Sequence, residues 1–152
     1  MAAAGPNPYA QQTVLSPAAA LHEVGDPFVW SPKPVEVVAG STGELTLHLE
    51  IPETCEIYRD RLSVRVLDAP GLEAGEAVIP DATHTKTFDE HEYGTLRDNA
   101  QIKVPFTAVG DLTGVQVVKL ELTHQGCRGG LCYPEVVQQR EALVRIVPTT
   151  HD

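Results

Sequence analysis

The sequence predicts an all-β protein, an immunoglobulin-like β-sandwich. Apolar residues recur at every second position in several separate runs, which is the signature of strands with one buried and one wet face. No stretch carries a convincing 3.6-residue period over roughly 11 residues or more. Turn residues are abundant, with 12 Gly and 12 Pro, and they fall between the runs. Aromatic residues make up only 5% of the chain, so the core must rest mainly on Val, Leu and Ile, which favours strands. Short strands separated by Gly/Pro turns indicate a sandwich. The Cys…Trp…Cys spacing of antibody domains is absent.

The chain is 152 residues long, a length that suggests one domain. Residues 1–25 carry Pro6, Pro8 and Pro17 among many Ala, and read as a flexible N-terminal lead-in, with Val14 to Leu21 able to order by docking. The start Met1-Ala2-Ala3-Ala4-Gly5 lacks a charged n-region and an apolar h-region, so it reads as a start placed at or near a mature N-terminus. Residues 26–148 are expected to form the globular domain, and 149–152 a C-terminal tail.

Strand character begins at Val35. Leu45, Leu47, Leu49 and Ile51 alternate with Thr46, His48 and Glu50; Leu62, Val64 and Val66 alternate with Ser63 and Arg65. Ile102, Val104 and Phe106 form a further strand, and Ala142, Val144 and Ile146 the last. Val115 and Val117 share one phase, whereas Val118, Leu120 and Leu122 share the other, which predicts a β-bulge near Val117-Val118. Ala39-Gly40-Ser41-Thr42-Gly43, Ala69-Pro70-Gly71 and Gly110-Asp111 are the expected turns.

A net charge of −10 repels phosphate, so nucleic acid is not an expected partner, and anionic lipid is disfavoured too. No stretch approaches the ~18 apolar residues of a membrane helix, so any membrane association must come through other segments.

Chemistry concentrates in the cysteines, of which there are three: Cys55, Cys127 and Cys132. The close pair is the natural partnership, and Cys55 is expected to be a small, half-buried residue at a strand edge. The run Thr123-His124-Gln125-Gly126-Cys127-Arg128-Gly129-Gly130-Leu131-Cys132-Tyr133-Pro134 places the two cysteines on either side of a hairpin-like turn. Cross-strand neighbours lie ~4.5–5.5 Å apart at Cα, within reach of a disulfide.

Three readings are open at this point. One is a staple in a non-catalytic β-sandwich. Another is a reversible dithiol/disulfide. A third is a zinc or copper module built from His124, Cys127 and Cys132, with His84 or His91 joining. Closing a six-residue loop stabilises by only about 2.2 kcal/mol in the chain-entropy model, against about 4.7 for a 100-residue loop. That small return favours exchange over stapling. Zinc sites usually pair one close cysteine couple with a second, and Met1 is the only methionine for copper(I), so no metal is expected.

The flanking residues carry a resemblance. Gln125-Gly126-Cys127 and Leu131-Cys132-Tyr133-Pro134 resemble the signature of the N-terminal periplasmic domain of the thiol:disulfide interchange protein DsbD. Ile57-Tyr58-Arg59, Asp89-Glu90-His91-Glu92-Tyr93-Gly94, Leu96-Arg97-Asp98 and Val104-Pro105-Phe106 resemble further segments of that family in order and spacing. The resemblance spans roughly residues 26–147.

It implies an immunoglobulin-like domain of a larger protein-disulfide reductase. Electrons would pass from the thioredoxin-like C-terminal domain of DsbD to periplasmic thioredoxin-fold proteins of the DsbC, DsbG and CcmG type, the last serving cytochrome c-type biogenesis. Cys132 would form the mixed disulfide and Cys127 would resolve it. Glu90, His91, Glu92, Tyr93 and Gly94 would form a cap loop over the bridge, with Tyr58 and Tyr133 as neighbours of the site. No cofactor is implied, and a monomer is expected.

Some residues depart from the family pattern. Four residues separate the cysteines where a member of the family has five, which makes a tighter turn. Glu135 replaces a second Pro, Glu56 stands where a second tyrosine is expected, and the cap Phe aligns with Glu92 or His91. Shielding is then expected to be weaker or to fall to Tyr93. In sequence no Lys or protonated His adjoins Cys132; Arg128 lies in the turn and His124 precedes it. Glu90 and Glu92, folded over the site, would raise the thiol pKa by like-charge repulsion, and the cap would act as a gate.

Overall fold

A computed structural model describes residues 26–149. The expected lead-in 1–25, including Val14 to Leu21, and residues 150–152 of the tail lie outside the described residues. Thr149 donates its hydroxyl to the Ala39 carbonyl at 3.3 Å.

The architecture is the expected immunoglobulin-like β-sandwich, and no α-helix occurs among the described residues. One sheet contains β1 (Val29–Lys33), β3 (Thr42–Glu50), β9 (Ala100–Ala108) and β6 (Leu72–Ala74), in that order. A second contains β2 (Val35–Val38), β13 (Val136–Val147), β10 (Gly114–His124) and β5 (Ser63–Asp68). All neighbours are antiparallel except β2 and β13. Leu45, Leu47 and Leu49 of β3 and Ile102, Val104 and Phe106 of β9 meet Val118, Leu120 and Leu122 of β10 and Ala142, Val144 and Ile146 of β13 in one buried cluster. Period-two patterning thus puts one face of each strand in the core.

A third sheet, at one end of the sandwich, has the order β12 (Leu131–Cys132), β11 (Gly126–Arg128), β4 (Cys55–Tyr58), β8 (His91–Leu96) and β7 (His84–Phe88). Its disulfide-bearing hairpin grows from the tip of the long β10–β13 ladder. That ladder runs from Gly114↔Ile146 to His124↔Val136 without a register shift.

Two expectations need correction. No bulge interrupts β10 at Val117-Val118. Val115 and Val117 face outward, and burial follows the even positions from Val118 to His124. The irregularity lies instead against β5, where Lys119 pairs with Asp68 and Leu120 with Val66, leaving Leu67 extra. Cys55 is not a half-buried edge residue: it opens the central strand β4 and is only 3% exposed.

Candidate active site

The hairpin β11–β12 turns through Gly129-Gly130, with Arg128 opposite Leu131 and Cys127 opposite Cys132. Gly129 has φ +59°, as the first loop position of a type II′ turn requires. The Tyr133 amide donates to the Gly126 carbonyl at 2.8 Å, so the cysteines occupy a non-hydrogen-bonded pair, where side chains approach most closely. They are joined as a disulfide, with the Cα atoms 3.9 Å apart, closer than the usual ~4.5 Å of such pairs. The partners differ in access. Cys127 is fully buried, whereas Cys132 is exposed.

Register against β4 decides what faces the sulfurs. Cys127 lies opposite Glu56, Gly126 opposite Ile57 and Arg128 opposite Cys55. Glu56 and Tyr58 therefore share a face with Cys127, and Cys55 and Arg128 share the other. Tyr58 Oη lies 3.6 Å from Cys127 Sγ and 3.7 Å from Cys132 Sγ, so its hydroxyl can donate to either sulfur. On the opposite face Arg128 Nε donates to Cys55 Sγ at 3.3 Å. That hydrogen bond, then charge interaction with Cys55 and Tyr133, raises the already high pKa of Arg128.

The segment expected to cap the site is the turn and second strand of a β-hairpin, β7–β8. Phe88 pairs with His91 across Asp89-Glu90, and both turn residues have positive φ, +53° and +66°, as in a type I′ turn. Only Ile57↔Leu96 and Tyr58↔Thr95 join β8 to β4, so the outer part of the ribbon is free to bend over the hairpin. The Tyr93 ring packs edge-on against Tyr58, with centroids 5.7 Å apart, and His91 packs against Tyr93 at 6.4 Å. Gly94 admits no side chain: a Cβ there would lie 2.7 Å from Ala82 Cβ. The base is held by Arg59, which donates to the carbonyls of Pro80 at 2.9 Å and Ile79 at 3.2 Å.

Of the residues expected at the site, the structure brings Tyr58, Tyr93, Cys127 and Cys132 together. Glu92 is cross-strand from Thr87, and so lies on the face of the ribbon opposite Tyr93. Glu90 is an exposed turn residue. Neither follows the expected inward placement. Tyr133 points the other way from Cys132, into the core, and packs edge-on against Phe28 at 6.0 Å.

His124 is buried beneath the hairpin. Its Nδ1 accepts from Trp30 Nε1 at 3.0 Å, which leaves Nε2 to donate to Asp26 Oδ2 at 3.1 Å. Both ring nitrogens are engaged, so the alternative His124–Cys127–Cys132 metal set does not assemble.

Sequence reasoning missed three charged residues. Lys86 Nζ lies 3.9 Å from Cys132 Sγ, 3.4 Å from Glu56 Oε2 and 5.7 Å from the centre of the Tyr58 ring. Arg97 Nε lies 3.4 Å from Glu56 Oε1. Lys86 and Cys132 sit on opposite edges of the sheet, which would put them ~19 Å apart if it were flat. Their contact measures how far the ribbon curls. No local signal marks Lys86; Arg97 stood inside a segment of the resemblance without a role, and Glu56 stood out only as a departure where a second tyrosine is expected.

This arrangement can expose one sulfur of a bridge to attack while holding its partner inside. The family described as thiol:disulfide interchange protein DsbD, N-terminal, matches residues 29–143. Among solved structures, the reduced DsbD N-terminal domain of Neisseria meningitidis is 24% identical, with a TM-score of 0.51 over 68% of this chain and 78% of that one. The complex between the DsbD N-terminal and PilB N-terminal domains of Neisseria meningitidis contains a chain 22% identical, with a TM-score of 0.55 over 78% of this chain and 87% of that one. No curated protein sequence matches. Among the described residues no helix is long and apolar enough to cross a membrane.

Proposed function

The chain belongs to the family of DsbD N-terminal domains, and from that premise we propose that it relays electrons between thioredoxin-fold proteins through Cys127 and Cys132. The observation that carries the reading is the pairing of exposed Cys132 with buried Cys127 across one ladder position.

The donor is the thioredoxin-like C-terminal domain of DsbD. A donor thiolate attacks Cys132 Sγ; a donor–Cys132 bond forms, the bridge breaks, and Cys127 leaves as a thiolate. The donor's second thiolate then closes the donor disulfide and releases Cys132. Two electrons have moved onto this domain. In the onward half, the Cys132 thiolate attacks a partner disulfide. Cys127 then attacks Cys132 Sγ, which re-forms the bridge and releases the partner, a dithiol once it takes up two protons. Tyr58 can donate to whichever sulfur carries charge. Tyr93, packed on Tyr58, narrows access to the bridge, and a partner that displaces the cap opens it further.

The acceptors are periplasmic proteins of the DsbC, DsbG and CcmG type, which makes the domain part of a protein-disulfide reductase facing the periplasm and serving cytochrome c-type biogenesis. Support for docking on a second protein comes from the Neisseria meningitidis relative, which forms a complex with a PilB N-terminal domain. Equilibration in glutathione or dithiothreitol buffers tests the reading. Exchange requires a potential above the roughly −300 mV typical of structural disulfides; a lower value returns the pair to a staple.

A further inference from the structure

We propose that Lys86 stabilises the Cys132 thiolate and sets its reactivity, within a charge network with Glu56 and Arg97. This rests on the exchange reading above and deepens it by assigning the group that activates the attacking sulfur.

The geometry fixes the ammonium from three sides. It lies 3.4 Å from Glu56 Oε2, 3.9 Å from Cys132 Sγ and 5.7 Å from the Tyr58 ring centre. The side chain is 22% exposed and that of Glu56 14%, so these charges are partly withdrawn from water, and screening between them is reduced. Glu56 is shared with Arg97 at 3.4 Å. Two cations thus face one carboxylate while the disulfide is closed. Reduction and ionisation at Cys132 supply the second anion, so the pocket is balanced when the thiolate is present.

Other charged groups are placed less directly. His84 and His91 lie on the inward face of the ribbon, at either end of Lys86 and Tyr93. Asp89 and Glu90 form the exposed tip, Glu92 faces away, and Asp98 is exposed beyond β8. Arg128 is committed to Cys55 on the other face. Among the described residues, Lys86 is thus the cation in contact with Cys132. Glu56 opposes it twice, by drawing the ammonium aside and by repelling a thiolate.

A cation at this range favours ionisation of a thiol. Cys132 should therefore ionise below the ordinary ~8.5 of a cysteine. A stabilised thiolate also stabilises the reduced form, so loss of Lys86 should make the bridge more reducing.

The test uses the full chain with Cys127→Ala, which leaves Cys132 as the exposed thiol, and follows alkylation by iodoacetamide against pH. Lys86→Gln should raise the Cys132 pKa by about one unit, which lowers the ionised fraction near neutral pH by about tenfold. Lys86→Arg should restore it. Glu56→Gln should shift the pKa the opposite way. Unchanged titration in Lys86→Gln overturns the proposal, as does an equal upward shift in Lys86→Arg or an upward shift in Glu56→Gln. No partner protein enters this measurement. A domain that shows these shifts yet exchanges with no thioredoxin-fold protein would refute the relay and leave the Lys86 assignment standing.

Discussion

Cys127 and Cys132 face each other across one position of the β11–β12 ladder, yet one is sealed and the other open. The sealed sulfur lies under Tyr58, between Gly126 and Arg128, where β11 pairs with β4. Cys132, the exposed residue, lies on the edge strand β12.

The first prediction follows from that asymmetry. In the reduced protein, Cys132 should be alkylated on the order of tenfold or more faster than Cys127 or Cys55, because modification of a buried thiol waits on local opening. Peptide mapping after a brief pulse reads the order. Similar labelling of Cys127 and Cys132 would contradict the burial seen here.

Removing the cap ring gives a second prediction. Tyr93→Ala deletes the edge-on contact with Tyr58, a type of contact worth about 0.5–1.5 kcal/mol beyond its area burial. Cys132 alkylation should rise several-fold, whereas Glu92→Ala, on the other face, should leave it unchanged. Equal rates in Tyr93→Ala and the native chain would remove the gate.

Gly126 explains part of the Gln125-Gly126-Cys127 signature. A Cβ there would meet the Phe28 ring and lie 2.7 Å from the Glu56 carbonyl oxygen. Gly126→Ala should destabilise the fold by about 1–3 kcal/mol, as overpacking does, read from urea denaturation. Native stability in that variant would mean that β4 and β11 separate freely.

Beneath the site, Trp30, His124 and Asp26 form a buried chain of hydrogen bonds that ties the start of β1 to the end of β10. Trp30→Phe leaves His124 Nδ1 without its donor and should cost about 1–3 kcal/mol for that orphaned acceptor, before any cavity. Urea denaturation measures it, and a loss below a few tenths of a kcal/mol would show that water replaces the indole.

How much of this was legible depends on range. Leu45 to Leu49, Ile102 to Phe106 and Ala142 to Ile146 announced their strands because a period of two is written locally. The hairpin carrying the cysteines was legible from Gly129-Gly130. What was lost is parity and partnership. Glu92 and Tyr133 sit one residue from Tyr93 and Cys132, and in a strand one residue is the opposite face. Lys86 meets Cys132, and Trp30 meets His124, across long separations in the chain that no local pattern encodes. Their contacts depend on the curl of a ribbon and on sheet order.

The most direct test traps the exchange itself. The full chain carrying Cys127→Ala, reduced and mixed with an oxidised thioredoxin-fold protein of the DsbC or CcmG type, should form a mixed disulfide that maps to Cys132 and dissolves on adding dithiothreitol. Cys132→Ala should trap nothing. No adduct from Cys127→Ala, or an adduct that maps to Cys55, would contradict the relay.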